Sequence, residues 1–343
     1  MAPKIALKSR LIHLLPIAPL LLSLPLSAAA VSNLVYDDFD DNQINSHLWF
    51  AYQGEPGPVV SETNQRLEIL YPPQSAGEVF GAGYVSICQL RGDFDIQVDY
   101  QLPVWPPANG VRVALVTVLG SVERTSFGNL PDFPGEPREV YLTNFGDNVA
   151  GITETTHLSG RLRQTRSGST VSAYYFDEGN WVLIYSADAT TNDTTFGLES
   201  WSHDYAFTDQ VVNAAFDNAL VADGDLVCPP IDVSIDIKPG DTPNAVQPSS
   251  RGKIPVAILT TDLFDAVSVQ PSTVLFGPTG NEASPVHTAF EDVDNDGDVD
   301  LILHFLTQET QIQCGDTSAV LAGATTTERA VIGYDTVTTV GCK

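Results

Sequence analysis

Basic residues are scarce in this sequence: 16 Lys and Arg stand against 43 Asp and Glu, a formal net charge of −27 over 343 residues. Beyond residue 30 the only lysines are Lys238, Lys253 and Lys343. Nucleic acids and anionic membrane surfaces need a basic face, so both are excluded as partners. After residue 30 there is no long apolar run, which leaves no candidate for a spanning helix there. Neither a Gly-x-Ser-x-Gly nor a His-Glu-x-x-His motif occurs. His47, His157, His203, His287 and His304 are scattered, with no zinc-ligand spacing. Between residues 34 and 226 no helical period is sustained.

What is present suits two domains. The length is that of two ordinary domains, and 43% hydrophobic residues rule out disorder by composition. Residues 1–30 read as a secretory signal peptide. Lys4, Lys8 and Arg10 precede an apolar stretch from Leu11 to Leu26, and Ser27-Ala28-Ala29-Ala30 offers a small-residue cleavage site. Pro16, Pro19 and Pro25 interrupt the stretch and argue against a membrane anchor. A secreted or cell-surface location permits disulfides. Cys314 and Cys342 fall together in the last third and are expected to pair. Cys88 and Cys228 flank one candidate domain, so a bridge between them is expected, with a buried free thiol at Cys88 as the alternative. Sequence alone leaves all three pairings of four cysteines open.

From residue 31 to 227 short alternating runs are separated by Gly, Pro, Asn and Asp. Phe94, Ile96, Val98 and Tyr100 alternate with Asp93, Asp95, Gln97 and Asp99. Val111, Val113 and Leu115 form another such run, as do Phe196 and Leu198. Val171–Phe176 and Trp181–Tyr185 flank Asp177-Glu-Gly-Asn180, a hairpin signal. The stretch from Gly120 to Pro137 reads as a long loop, either an insertion or a binding rim. Many short strands predict an all-β antiparallel sandwich.

Particular motifs sharpen this. Asp37-Asp-Phe-Asp-Asp41, His47-Leu-Trp49 and Glu68-Ile-Leu70 resemble the opening of concanavalin A-like, laminin-G-like jelly-roll domains. Arg166–Tyr175 with Gly179-Asn-Trp181 resembles their central hairpin, and Phe216-Asp-Asn-Ala-Leu-Val221 a closing strand. The resemblance implies a jelly-roll β-sandwich. It does not select a function, since that superfamily holds lectins, carbohydrate-binding modules and laminarinase-type hydrolases.

Cys228-Pro-Pro230 reads as a stiff linker, predicting separate melting of its two flanks. From residue 231 to 343 the pattern restarts with Ile235-Asp-Ile-Lys-Pro-Gly240, Ile254–Thr260 and Val274–Gly280. These resemble a small β-sandwich-like module found at the C-termini of secreted bacterial proteins, which implies an accessory role.

The sharpest chemical signal is Asp292-Val-Asp-Asn-Asp-Gly-Asp-Val-Asp300. Asp292, Asp294, Asp296 and Asp300 take loop positions 1, 3, 5 and 9, Gly297 takes position 6, and the carbonyl of Asp298 position 7. Alternating hard oxygens around a sharp turn suit Ca2+. Position 12 is Leu303, so the bidentate glutamate of an EF-hand is missing. The loop therefore resembles those of dockerin-like and thrombospondin-type modules. Asp38 or Asp40 with Asp217 is a weaker metal candidate, at the place where the superfamily often holds structural calcium.

Strand parity suggests a ligand face. If Val113, Val140 and Leu198 face the core, then Arg112, Tyr141, Glu199 and Trp201 face the other way, with Trp105 at the rim. Aromatic rings beside charged groups suit a glycan. The Glu-x-Asp-x-(x)-Glu strand of laminarinase-type enzymes is absent, which favours a non-catalytic, lectin-like protein. The alternatives are a glycoside hydrolase or polysaccharide lyase, with Glu139 and Glu199 as its acids, and a structural matrix or adhesion protein. Arg91-Gly-Asp93 leads into a strand and is read as chance.

Overall fold

The computed structural model describes residues 31–54, 57–73, 81–127, 138–146, 148–202 and 210–342. The signal-peptide segment, His203 and the end of the expected loop at 128–137 lie outside the described residues. Two sets of sheets, each enclosing its own apolar cluster, divide the chain on either side of Cys228-Pro-Pro230.

The first unit is an antiparallel two-sheet jelly roll. Its eight-stranded sheet is centred on the two longest strands, Gln89–Val104 and Val212–Val227, which pair with each other. Phe94, Ile96, Val98, Tyr100 and Leu102 of the first are buried in strict alternation, as the sequence pattern requires. The hairpin Thr170–Asp177/Asn180–Asp188 turns through Glu178 and Gly179, both at positive φ (46° and 83°), the two-residue turn that matches strand twist. The seven-stranded sheet packs across it. Its strands Arg138–Phe145, Gly120–Phe127, Val111–Thr117, Phe196–Ser202, Gly81–Ser86 and Trp49–Gln53 are paired in that order, the last at an edge.

The opening motif forms an aromatic nucleus. Trp49 meets Tyr36 edge-on at 4.9 Å and Phe196 at 5.6 Å, and its indole donates to Asp37 Oδ2 at 2.7 Å. Such edge-to-face pairs stabilise by about 1 kcal/mol each beyond area burial.

The second unit stacks two four-stranded sheets. One holds Ile235–Ile237, Lys253–Ile258, Asp300–Leu306 and Pro285–Glu291 in spatial order, the last at an edge. Ile254, Val256, Leu301, Leu303 and Phe305 project from it into the core. Both disulfides join the expected partners, Cys88 to Cys228 and Cys314 to Cys342.

The two units touch. His47 Nε2 lies 2.8 Å from the carbonyl of Leu263, its ring meets Phe264 edge-on, and Arg329 donates to the carbonyl of His47 at 3.2 Å. These bonds cross from one unit to the other, so the proline linker is not the sole connection.

Two expectations fail here. Gly120–Phe127 is a sheet strand, not the start of a loop. Its side chains are buried yet polar: Glu123, Arg124, Thr125 and Ser126 are at most 1% exposed. Tyr141 does not share a face with Arg112, Glu199 and Trp201. It pairs through Arg124 with Val113, so it points between the sheets, 0% exposed. Val140 is the residue that points outward, into a small cluster with Phe127 and Leu142.

Candidate functional site

The outer face of the seven-stranded sheet carries three of the four expected ligand residues. Register places Glu199 beside Ala114 and Gly83, and Trp201 beside Arg112 and Gly81. Strand Gly81–Ser86 thus offers no side chain to this face at Gly81 and Gly83. The Tyr52 ring fills the space. A Cβ on Gly81 would lie 3.9 Å from that ring and 3.7 Å from Cβ of Trp201. Tyr52 reaches across to donate its hydroxyl to Glu199 Oε2 at 2.7 Å. Phe50, on the same strand and face as Tyr52, is 65% exposed.

Arg112 stacks over Trp201, guanidinium carbon to ring centre 5.4 Å, and lies 4.0 Å from Glu123 Oε2. Ser121 and Thr125 donate to the two Glu123 oxygens at 2.5 and 3.2 Å. Burial pushes both Glu123 and Glu199 above the usual carboxylate range. For Glu123 the neighbouring Arg112 and two hydroxyls oppose that shift; for Glu199 the Tyr52 hydroxyl opposes it. The row therefore combines two carboxyls tuned toward the acid form, two aromatic rings and a guanidinium.

Tyr52 and Glu123 were missed in sequence. Tyr52 lies 147 residues from Glu199, and Glu123 was hidden in the presumed loop. The spacing Gly81-Ala-Gly83, a strand with alternate side chains deleted, was the available signal.

The remaining candidates gather elsewhere. Tyr141 stacks on Tyr175 at 4.3 Å and is bridged by Tyr100 OH at 2.6 Å and His157 Nδ1 at 3.1 Å. Glu139 is ion-paired with Arg124 at 2.6 Å and accepts from Trp105 and Ser126. A cleft of about 650 Å³ opens beside Glu139, His157 and Asp177. Glu139 and Glu199 stand on opposite faces of one sheet, so they do not form an acid pair.

In the second unit the acidic loop is the turn of the hairpin Pro285–Glu291/Asp300–Leu306. Carboxylate oxygens of Asp292, Asp294 and Asp300 lie within 4.8 Å of one another. Backbone N–H groups hold them there: Asn295 and Gly297 donate to Asp292, Asp296 to Asp294, and Thr260 and Val293 to the buried Asp300. Asn295 and Gly297 adopt positive φ (65° and 105°), which closes the turn. Local desolvation and the carboxylates of Asp296 and Asp300 raise the pKa of Asp294. Asp296 and Asp298 are exposed and outside that trio; Asp296 accepts from the Asp298 N–H. Leu303, at position 12, is a core residue.

Asp38, Asp40 and Asp217 form no comparable cluster among the described residues. Nearby, burial and then Asp37 and Asp41 push Glu62 up to about 8. A carboxyl raised on folding favours the native state below its unfolded pKa and loses that contribution as pH climbs toward the folded value. Glu62→Gln should therefore raise the melting temperature at pH 8.5 and change it little at pH 4. Equal shifts at both pH values, by thermal denaturation at fixed calcium, would contradict this.

No protein-family model matches the chain, and no curated protein matches it. Solved structures do. A prokaryotic β-1,3-1,4-glucanase (lichenase) derived from a mouse hindgut metagenome is 13% identical over 54% of this chain and 96% of its own, with a TM-score of 0.39. The Bacillus licheniformis β-glucanase is 10% identical over 53% and 95%, TM-score 0.38. A marine PL7 alginate lyase from Zobellia galactanivorans is 10% identical over 53% and 98%, TM-score 0.39. The first unit shares with them a two-sheet antiparallel β-sandwich architecture. At these identities no residue's role follows from the likeness. Among the described residues no helix is long and apolar enough to cross a membrane.

Proposed function

We propose that the protein is an exported glycan-binding protein whose ligand lies across Tyr52, Glu199, Trp201 and Arg112. The observation that carries this is the Tyr52 ring laid over Gly81 and hydrogen-bonded to Glu199, with Trp201 alongside. An aromatic floor takes the apolar face of a pyranose, while Glu199 and Arg112 meet its hydroxyls. In the cleft beside His157, Glu139 is taken up by Arg124, Trp105 and Ser126, and His157 faces Asp177. Trp201→Ala should weaken binding to a responsive polysaccharide at least about tenfold, a loss of about 1.4 kcal/mol. Glycan arrays followed by titration of the best ligand test this. Unchanged affinity in the variant, or no binding to any glycan, would overturn it.

A second reading rests on Glu123. Glu199 and Glu123 face outward from strands separated by one strand, so their Cα atoms lie about 9.6 Å apart, two strand spacings. An inverting pair needs two carboxyls on one face, with about 6.5–9.5 Å between the carboxyl groups themselves; Glu123 is fully buried and held by Ser121, Thr125 and Arg112. Reducing-sugar release abolished by both Glu199→Gln and Glu123→Gln would establish hydrolysis and displace the lectin-like reading.

The acidic loop suits Ca2+. The Asp292, Asp294 and Asp300 carboxylates already converge without an EF-hand glutamate, and backbone donors fix their orientation. Asp296 and the Asp298 carbonyl would complete the oxygen set. The ion would supply charge neutralisation that ties the hairpin turn together. It lies in the second unit and takes no part in the glycan face.

A further inference from the structure

The hairpin that carries the acidic loop also sets two histidines opposite one another. His287 on strand Pro285–Glu291 is paired directly with His304 on strand Asp300–Leu306. Directly opposed residues project to the same face of a sheet. Leu303 and Phe305, the neighbours of His304, enter the core, so both rings stand on the side away from it. His287 is exposed and His304 half-buried.

The rings lie 5.2 Å apart between centres and are inclined by 54°. Two imidazoles sharing a tetrahedral ion have centres about 5 Å apart, because each metal–nitrogen bond is about 2.0 Å and the ring centre lies about 1.2 Å beyond the nitrogen. Nδ1 of His304 is buried and has no hydrogen-bond partner. A buried polar atom left unpaired calls for a partner of some kind.

We propose that His287 and His304 form a binding site for a divalent transition ion of the zinc, nickel or copper type, with water completing its coordination. Imidazole nitrogen suits these ions, whereas the carboxylate loop at the end of the same hairpin suits calcium. The hairpin thus holds two sites distinguished by ligand chemistry. Strand Pro285–Glu291 lies at the sheet edge, paired, among the described residues, with Asp300–Leu306 alone. An ion across the two rings would staple that edge to its neighbour.

The test uses the full-length protein in millimolar calcium, so that the loop is supplied with its own cation. Zinc is titrated by calorimetry, and cobalt replaces it for spectroscopy. The expected result is one bound zinc per chain and the visible absorption of tetrahedral cobalt. His287→Ala alters an exposed residue and should leave the circular dichroism unchanged. It should weaken zinc binding roughly tenfold or more and abolish the cobalt band. His304→Asn should do the same, and Asp294→Ala should preserve both signals. Equal affinity in wild type and His287→Ala, loss of binding in Asp294→Ala alone, or no zinc bound by wild type would each overturn the proposal.

Discussion

Chelating calcium from the intact protein should lower the melting temperature of the second unit by roughly 10 °C. An ion bound only by the folded state contributes about 2.7 kcal/mol at a hundredfold excess over Kd, and a domain of this size, between the small and the large ranges, shifts by about 4 °C per kcal/mol. Asp294→Ala should remove most of that calcium dependence. It deletes one of the three converging carboxylates, yet its oxygen accepts only the nearby Asp296 N–H. Asp300→Ala should behave differently. Its buried carboxylate accepts from both Thr260 and Val293, so its loss should lower the melting temperature with or without calcium. Acidification should mimic chelation, because protons compete for the same oxygens. Calorimetry with and without chelator decides the matter. An unchanged transition together with no heat of calcium binding would reduce the loop to an acidic turn.

Replacing Cys88 and Cys228 with serine should cost the first unit about 5 kcal/mol. The bridge closes 140 residues, and the chain-entropy model scales with the logarithm of that length. The 28-residue Cys314–Cys342 loop should contribute less, about 3.6 kcal/mol on the same scale. Denaturant titration of each double-serine variant gives the two values. A larger loss from the shorter loop would mean that local packing around the sulfurs, not chain entropy, sets the stability.

Strands such as Gln89–Val104 were legible because one face is apolar and the other is not. Phe94 to Leu102 alternate with Asp, Gln and Asp, and the register follows from that. The strand Arg138–Phe145 resisted the same reasoning. Val140, Tyr141, Leu142 and Thr143 are all buried, so hydropathy carries no parity there and Tyr141 was assigned to the wrong face. Gly120–Phe127 failed for the complementary reason. Glu123 and Arg124 are buried through partners on other strands, and a run of polar residues does not announce such pairing. The acidic loop was legible because its oxygens are close in sequence. The Tyr52–Glu199 contact was not, since it requires knowing that strands Trp49–Gln53 and Phe196–Ser202 flank the same glycine-bearing neighbour.

The Cys88–Cys228 bridge also determines how the chain would carry load. Tension applied through the second unit enters the first at Cys228, the residue that follows strand Val212–Val227. The covalent bond passes that force straight to Cys88, just ahead of strand Gln89–Val104. The chain between the two cysteines, a sequence separation of 140, lies off the path of a force applied at the ends, so about 500 Å of contour length, at about 3.6 Å per residue, stays unextended while the bridge is intact. Both central strands of the eight-stranded sheet, and Arg112, Glu199 and Trp201, fall inside this shielded segment. Tyr52 and strand Val31–Asp37 lie outside it. A molecule pulled from its two ends would therefore yield first in the segment before Cys88, strand Trp49–Gln53 included, losing the Tyr52 floor while the Glu199 and Trp201 side of the face keeps its fold.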